Sequence, residues 1–181
     1  MRATLSANAA TSRSQSKGGV MTTRRFLQER RQTEHGAFTR VIEALPRDRF
    51  DYRPHERSPS SAEIVWTLTL ATKGCSDLVD HGEMDWVPSS PPSDVAELVS
   101  GFEQEYAALD ERIARLDDKG WQRPVRFLAN GQLGMEAPLG KLLWYLFFDA
   151  IHHRGQLSTY IRPMGGKVPS IYGPSGDDPG R

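Results

Sequence analysis

Apolar residues recur at spacings of three and four in four long stretches of the chain, the pattern of amphipathic helices, and no sustained strand-like alternation competes with it. The longest stretch runs from Leu139 to Arg162. There Leu139, Leu142, Leu143, Leu146, Phe147, Ala150, Ile151, Leu157 and Ile161 form a wide stripe, and Pro163 with Gly165-Gly166 stops it. A third helix is predicted from a Ser93 or Asp94 cap to about Asp118. Val95, Leu98, Val99, Phe102, Tyr106, Leu109, Ile113 and Leu116 mark its buried side, and Lys119-Gly120 its end. The second opens on the capping box Ser60-Ser61-Ala62-Glu63, buries Ile64, Val65, Leu68, Cys75, Leu78 and Val79, and stops at Gly82. The first is capped by Thr22 or Thr23 and runs to about Leu45 before Pro46. Phe26, Ala37, Phe38, Val41, Ile42 and Leu45 supply its apolar face.

Four such helices predict an all-α fold, a four-helix bundle. The segments between the first and second helices, and between the third and fourth, are long enough to serve as crossover connections. Glu83–Ser93, with Trp86 and a Pro-rich break, reads as a surface crossover. Asn130-Gly131 between short apolar runs is a hairpin signal, so a small β-excursion or an ordered loop is expected between Trp121 and Pro138. Val168, Ile171 and Tyr172 in the Pro/Gly-rich tail are expected to pack back on the helices. Residues 1–21 read as a disordered extension and residues 22–181 as a single domain.

Composition narrows the functional classes. Lys plus Arg and Asp plus Glu are each 23, and the arginines are scattered rather than patched, so no nucleic-acid partner is indicated. No uninterrupted apolar segment of about 18 residues predicts a membrane span. The single cysteine, Cys75, excludes an internal disulfide and fits a reducing, cytoplasmic setting. It lies on an apolar helix face, where a thiol serves as a small hydrophobe rather than a nucleophile.

The chemistry sits in the middle of the last helix. In D-A-I-H-H-R-G-Q, Asp149 and His153 are at i and i+4, on one helix face. A carboxylate and an imidazole so placed can share a divalent ion or a proton; the ordinary alternative is a hydrogen bond inside a polar layer. His152 is about 100° round the helix from His153 and reads as a bystander. Arg154 reads as a structural ion pair and Gly155 as a point of close helix contact. His35 is expected to be exposed, although facing inward it could approach a central site, and His55 reads as loop. Thr67 lies beside the buried stripe of the second helix and can point inward.

F-D-Y-R-P-H-E-R-S before a helix, then I-H-H-R-G-Q-L-S-T-Y-I-R-P and V-P-S-I-Y-G-P, resemble the DinB/YfiT-like (damage-inducible) family, over essentially Met21 to Asp178. The resemblance implies a bundle, often dimeric, with a divalent metal held by three histidines. One histidine comes from the second helix and two from an H-x-x-x-H pair on the last. It also implies activity on a small-molecule substrate. Members are similar to S-transferases and isomerases that use a low-molecular-weight thiol, and others carry a metal-dependent-hydrolase label. Aligned on H-R-G-Q, His153 keeps the second last-helix position, whereas Asp149 and Thr67 stand where the family has histidine. The resemblance thus implies zinc, nickel or manganese on Asp149 and His153 with Thr67 lining the pocket, in a homodimer. The alternative is a small-molecule binder or dimeric scaffold with a degenerate metal site. No catalytic residue is assigned.

Overall fold

The computed structural model describes residues 21–180; the extension expected over residues 1–21 therefore falls, apart from Met21, outside the described residues. Four long helices dominate: α1 (Thr23–Glu43), α2 (Ser61–His81), α3 (Val95–Arg115) and α5 (Leu139–Ile161), with a short α4 (Asp118–Gln122) between the last two. Their starts are fixed locally. Thr22 Oγ1 accepts from Arg25 N at 3.2 Å, and Asp94 Oδ1 accepts from Ala96 N at 2.8 Å. At α2 the capping box is complete: Ser60 Oγ accepts from Glu63 N at 3.2 Å while Glu63 Oε2 accepts from Ser60 N at 2.6 Å.

Helix α2 packs against α3 and α5, and α1 packs against the same two. The segments joining α1 to α2 and α3 to α5 each connect two helices that share the same pair of packing partners. Fully buried Phe38, Ile42, Ile64, Leu68, Leu98, Phe102, Leu109 and Leu139 fill the centre.

Strands make the all-α expectation only approximate. Strand β1 (Glu83–Trp86) pairs in parallel with β2 (Pro124–Ala129), which pairs antiparallel with β3 (Gln132–Pro138), in the order β1-β2-β3. The hairpin turn is the one the sequence signalled. Asn130 and Gly131 both take positive φ, 51° and 74°, as a two-residue turn matched to strand twist requires. Glu83–Trp86, read as a crossover, forms the third strand instead, and the Asp85 carboxylate accepts from Gly131 N at 3.0 Å to tie it to the turn.

Other local expectations are also corrected. Helix α3 ends at Arg115, and Lys119-Gly120 lies inside α4, because Asp117 Oδ1 accepts from Gly120 N at 2.6 Å and starts a new turn. Ala37, Phe38, Val41, Ile42 and Leu45 are buried as the apolar pattern placed them, but Phe26 is 46% exposed, and at that end of α1 the buried side runs instead through Leu27, Arg31 and Glu34. Among the described residues nothing lies within 4 Å of where a Cβ on Gly155 would stand, so Gly155 is an exposed helix position rather than a close contact. In the tail Val168 and Ile171 pack on the core, whereas Tyr172 stays 73% exposed and only its hydroxyl is tied inward.

Candidate functional site

On α2, Thr67, Ala71 and Gly74 fall on one face at spacings of four and three. This stripe of small side chains lets β1 lie close against the helix. The Met84 side chain fills the space beside Gly74, with Sδ 3.0 Å from where a Cβ would stand. Trp86, two residues on, shares the Met84 side of the strand. On the opposite wall α5 presents Tyr145, Leu146, Asp149 and His153. Between them opens a cleft of about 260 Å³, lined by Thr67, Ala71, Trp86, Phe127, Tyr145, Leu146, Asp149 and His153. The structure therefore brings Thr67, Asp149 and His153 into one cleft, and adds three aromatic residues that periodicity did not mark as functional.

His153 is held at both ring nitrogens. Its Nε2 lies 3.5 Å from Asp149 Oδ2, an ion-pair contact on the i,i+4 face, and its Nδ1 lies 3.2 Å from Gln156 Oε1. Tyr160 Oη donates to the Pro59 carbonyl at 3.1 Å, so its oxygen accepts from Gln156 Nε2 at 3.4 Å. That sets the Gln156 amide with Oε1 towards the imidazole, which donates from Nδ1. In the neutral ring Nε2 then carries its lone pair towards a carboxylate, and a proton between them is favoured. Consistently, the contact with Asp149 raises the His153 pKa above its ordinary 6.5 although burial works against it, and the contact with His153 lowers that of Asp149 below 3.8. The Thr67 hydroxyl donates to the Glu63 carbonyl at 2.9 Å, leaving its oxygen free only to accept.

The remaining candidates lie elsewhere. His35 Nε2 is 2.6 Å from Glu103 Oε2 and its ring stacks on Tyr106, between α1 and α3. His152 is exposed, edge-on to His153. The His55 Nδ1 accepts from Arg57 N within its loop. Cys75 is buried, and burial pushes its thiol pKa up to about 12, which keeps it protonated and inert. Among the tryptophans, Trp86 lines the cleft, Trp66 Nε1 donates to Ser89 Oγ, and the half-buried Trp144 lies between the exposed rings of Phe26 and Phe148. A larger recess of about 690 Å³ lies under the C-terminal tail. Its Asp178 carboxylate is committed to Ser170 N and Gly180 N, and Arg40 Nε donates to the Ser170 carbonyl, so its polar groups serve the tail itself.

A three-ligand metal centre does not fit this donor set. Asp149 and His153 supply two donors, and among the described residues no group of three or more His, Cys, Asp or Glu side chains converges. Thr67 brings a neutral hydroxyl where an imidazole would be needed, and catalytic zinc sites ordinarily have three protein ligands. The pair is suited instead to holding and moving a proton.

A family model described as the DinB family matches residues 14–179. A DinB-like protein from Bacillus cereus has the same fold at 17% identity, with a TM-score of 0.68 over 81% of this chain and 95% of that one. A DinB-like protein (YjoA) from Bacillus subtilis does so at 17% identity and a TM-score of 0.61, over 78% and 93% of the two chains. A mycothiol-dependent maleylpyruvate isomerase aligns at 15% identity and a TM-score of 0.53, over 81% of this chain and 64% of that one. An uncharacterized protein of Bacillus subtilis, YrdA, is 41% identical over 46 residues, so the match spans only 25% of this chain and 28% of that relative. Among the described residues no helix is long and apolar enough to cross a membrane.

Proposed function

The chain belongs to the DinB family, and from that premise we propose that it is a thiol-dependent transferase or hydrolase in which His153, held by Asp149 and Gln156, is the base of the cleft beside Thr67. The observation that carries this reading is the fixed imidazole: Nδ1 is engaged by Gln156, which leaves Nε2 and the Asp149 carboxylate as the reactive side of the pair. A carboxylate beside an imidazole stabilises the imidazolium formed on proton uptake, the same logic as the orienting acid of a triad. A raised His153 pKa also narrows the gap to a free thiol near 8.5, which makes the transfer less uphill. In the proposed step His153 Nε2 takes the thiol proton. The sulfur then forms a bond to an electrophilic carbon as that carbon's bond to its leaving group breaks, and His153 returns the proton to the departing group. In the hydrolytic version water takes the place of the thiol.

A fold neighbour that depends on a thiol makes the chemistry worth testing first on thiols. We read the four long helices as the bundle of the family, and the exposed Phe26 and Phe148 flanking half-buried Trp144 as apolar surface that a homodimer would bury. The decisive assay incubates the protein, with and without prior chelator treatment, with 2-mercaptoethanol and chlorodinitrobenzene, and follows thioether formation by mass spectrometry. Turnover above background that is lost in His153→Gln and Asp149→Asn supports the reading. No turnover overturns the enzyme and leaves a small-molecule binder. Turnover that disappears with the chelator and returns with stoichiometric zinc, nickel or manganese overturns the metal-free pair.

A further inference from the structure

Resting on the cleft as the ligand site, we propose that its small molecule is an organic cation, with an alkylated ammonium group seated between the Asp149 carboxylate and the aromatic rings of Trp86, Phe127 and Tyr145.

The charge of the cleft points this way. Among the described residues its lining contains one carboxylate and one imidazole but neither lysine nor arginine. The basic side chains on the elements that wall it are engaged or distant. Lys73 pairs with Asp77 at 3.0 Å, Arg126 with Glu83 at 2.6 Å, and Arg154 with Glu34 at 2.6 Å. Lys141 precedes Asp149 by eight residues on α5, about 12 Å along the axis. Among the described residues an anionic ligand would therefore face Asp149 with only the imidazoles of His153 and the neighbouring His152 as countercharge, and a carboxylate-bearing molecule has no lysine or arginine to anchor it.

A cation finds two complementary partners. Asp149 is 44% exposed at its side chain and, among the described residues, His153 is its polar contact, so part of the carboxylate stays available to a ligand. Aromatic faces attract cations through the ring quadrupole, and more strongly where water is displaced. Three rings around one carboxylate give both an electrostatic and a dispersive seat. The same lining separates alkylated from primary ammonium. A primary ammonium brings three N–H donors and needs about as many acceptors, whereas Thr67 and Asp149 offer few. Methyl groups on nitrogen need none and pack on the rings.

The test compares three probes of one shape by isothermal titration and by chemical-shift perturbation. These are choline, its neutral analogue with tert-butyl in place of trimethylammonium, and the tert-butylacetate anion. Choline is expected to bind about tenfold more tightly than either, with shifts centred on Thr67 and Leu146. Asp149→Asn should abolish that preference while retaining the weak binding of the neutral analogue, which also shows that the variant is folded. Trp86→Leu should weaken choline more than the neutral analogue. Equal binding of all three at the cleft, or a preference that survives Asp149→Asn, overturns the charge assignment and leaves the cleft standing as a ligand site. No binding of any probe at the cleft overturns both.

Discussion

The guanidinium of Arg154 donates to Glu34 Oε2 at 2.6 Å with both side chains almost fully buried, one residue along α5 from the imidazole that faces the cleft. Tyr172 Oη joins the same carboxylate at 3.0 Å, and the Arg154 guanidinium lies 4.8 Å from the Phe38 ring centroid. Successive helix residues differ by about 100°, so a pair locked between α5 and α1 also fixes the rotation that turns His153 outward. Removing one partner strands a buried charge. Glu34→Ala should cost about 3–5 kcal/mol in urea denaturation, and the apolar double replacement Glu34→Leu with Arg154→Met much less. A double variant as unstable as the single would show that packing, not the stranded charge, sets the loss.

The Asp149–His153 pair should give stability a defined pH window. His153 has its pKa raised in the folded chain by the contact with Asp149, so its contribution is complete below the unfolded value near 6.5 and is lost as pH rises through the folded value. Asp149 has its pKa lowered by the same contact, so its contribution is present above 3.8 and is lost as pH falls through the folded value. Between these limits the partly exposed pair is worth about 0.3–0.5 kcal/mol. An NMR titration of His153 should show its pKa drop in Asp149→Asn. An unchanged titration would mean that the carboxylate is not what holds the proton.

The helices were legible because their signals are local. The Ser60–Glu63 box, the Asp94 cap and the Asn130-Gly131 turn each appear in the structure as their residue types dictate. What escaped is set by tertiary contacts. Arg31 and Glu34 sit at buried positions of α1, where Arg31 Nε donates to Asp110 Oδ1 at 2.5 Å, and charged residues read as exposed until their partners are known. Strand β1 was missed because four residues beside a Pro-rich loop carry little pattern. The available signal was on α2, where Thr67, Ala71 and Gly74 leave room for something to approach. The Asp149–His153 pair was visible as a spacing, with Tyr145 four residues before Asp149 on the same helix, whereas Trp86 and Phe127 became part of the site only once β1 and β2 folded over it.

Cys75 should behave as core. With its thiol buried and its pKa pushed up to about 12 by desolvation, it presents almost no thiolate at neutral pH. Labelling by a thiol-specific disulfide reagent should therefore be slow in the native protein and rapid in denaturant, at a rate that follows unfolding. Rapid labelling of the native protein would contradict the buried placement and return this thiol to the list of candidate nucleophiles.

Gly74 should be the position through which α2 controls the cleft roof. Alanine there is a balanced change, since helix propensity favours it by about 1 kcal/mol while the flexible end of Met84 must move aside. Valine is not balanced: its branch enters space that Met84 fills, and overpacking of this kind costs about 1–3 kcal/mol. Gly74→Val should lower the melting temperature and weaken choline binding together, because displacing Met84 displaces Trp86 on the same strand face. Shortening the obstacle, as in Gly74→Val with Met84→Ala, should recover part of the loss. Two effects that simply add would show that the strand does not rest on this contact.

Gln156 should act by positioning rather than by touching a ligand. Its Oε1 engages His153 Nδ1, and its own orientation is set by Tyr160, which donates to the Pro59 carbonyl. Replacing it with leucine removes the acceptor that holds the proton on Nδ1, so the neutral ring becomes free to place its proton on Nε2 and donate to Asp149. Nitrogen-15 shifts of His153 should then move from the Nδ1–H towards the Nε2–H form, and its pKa should fall because one of the contacts raising it is gone. Turnover should drop with little change in KM, since Nε2 is no longer a free base, while choline binding, which uses Asp149, is retained. Gln156→Glu separates orientation from charge, because it keeps an acceptor on Nδ1 and should preserve the Nδ1–H form. If the tautomer in Gln156→Leu stays as it is in the parent protein, the imidazole is oriented by Asp149 alone and the relay through Tyr160 has no part in the site.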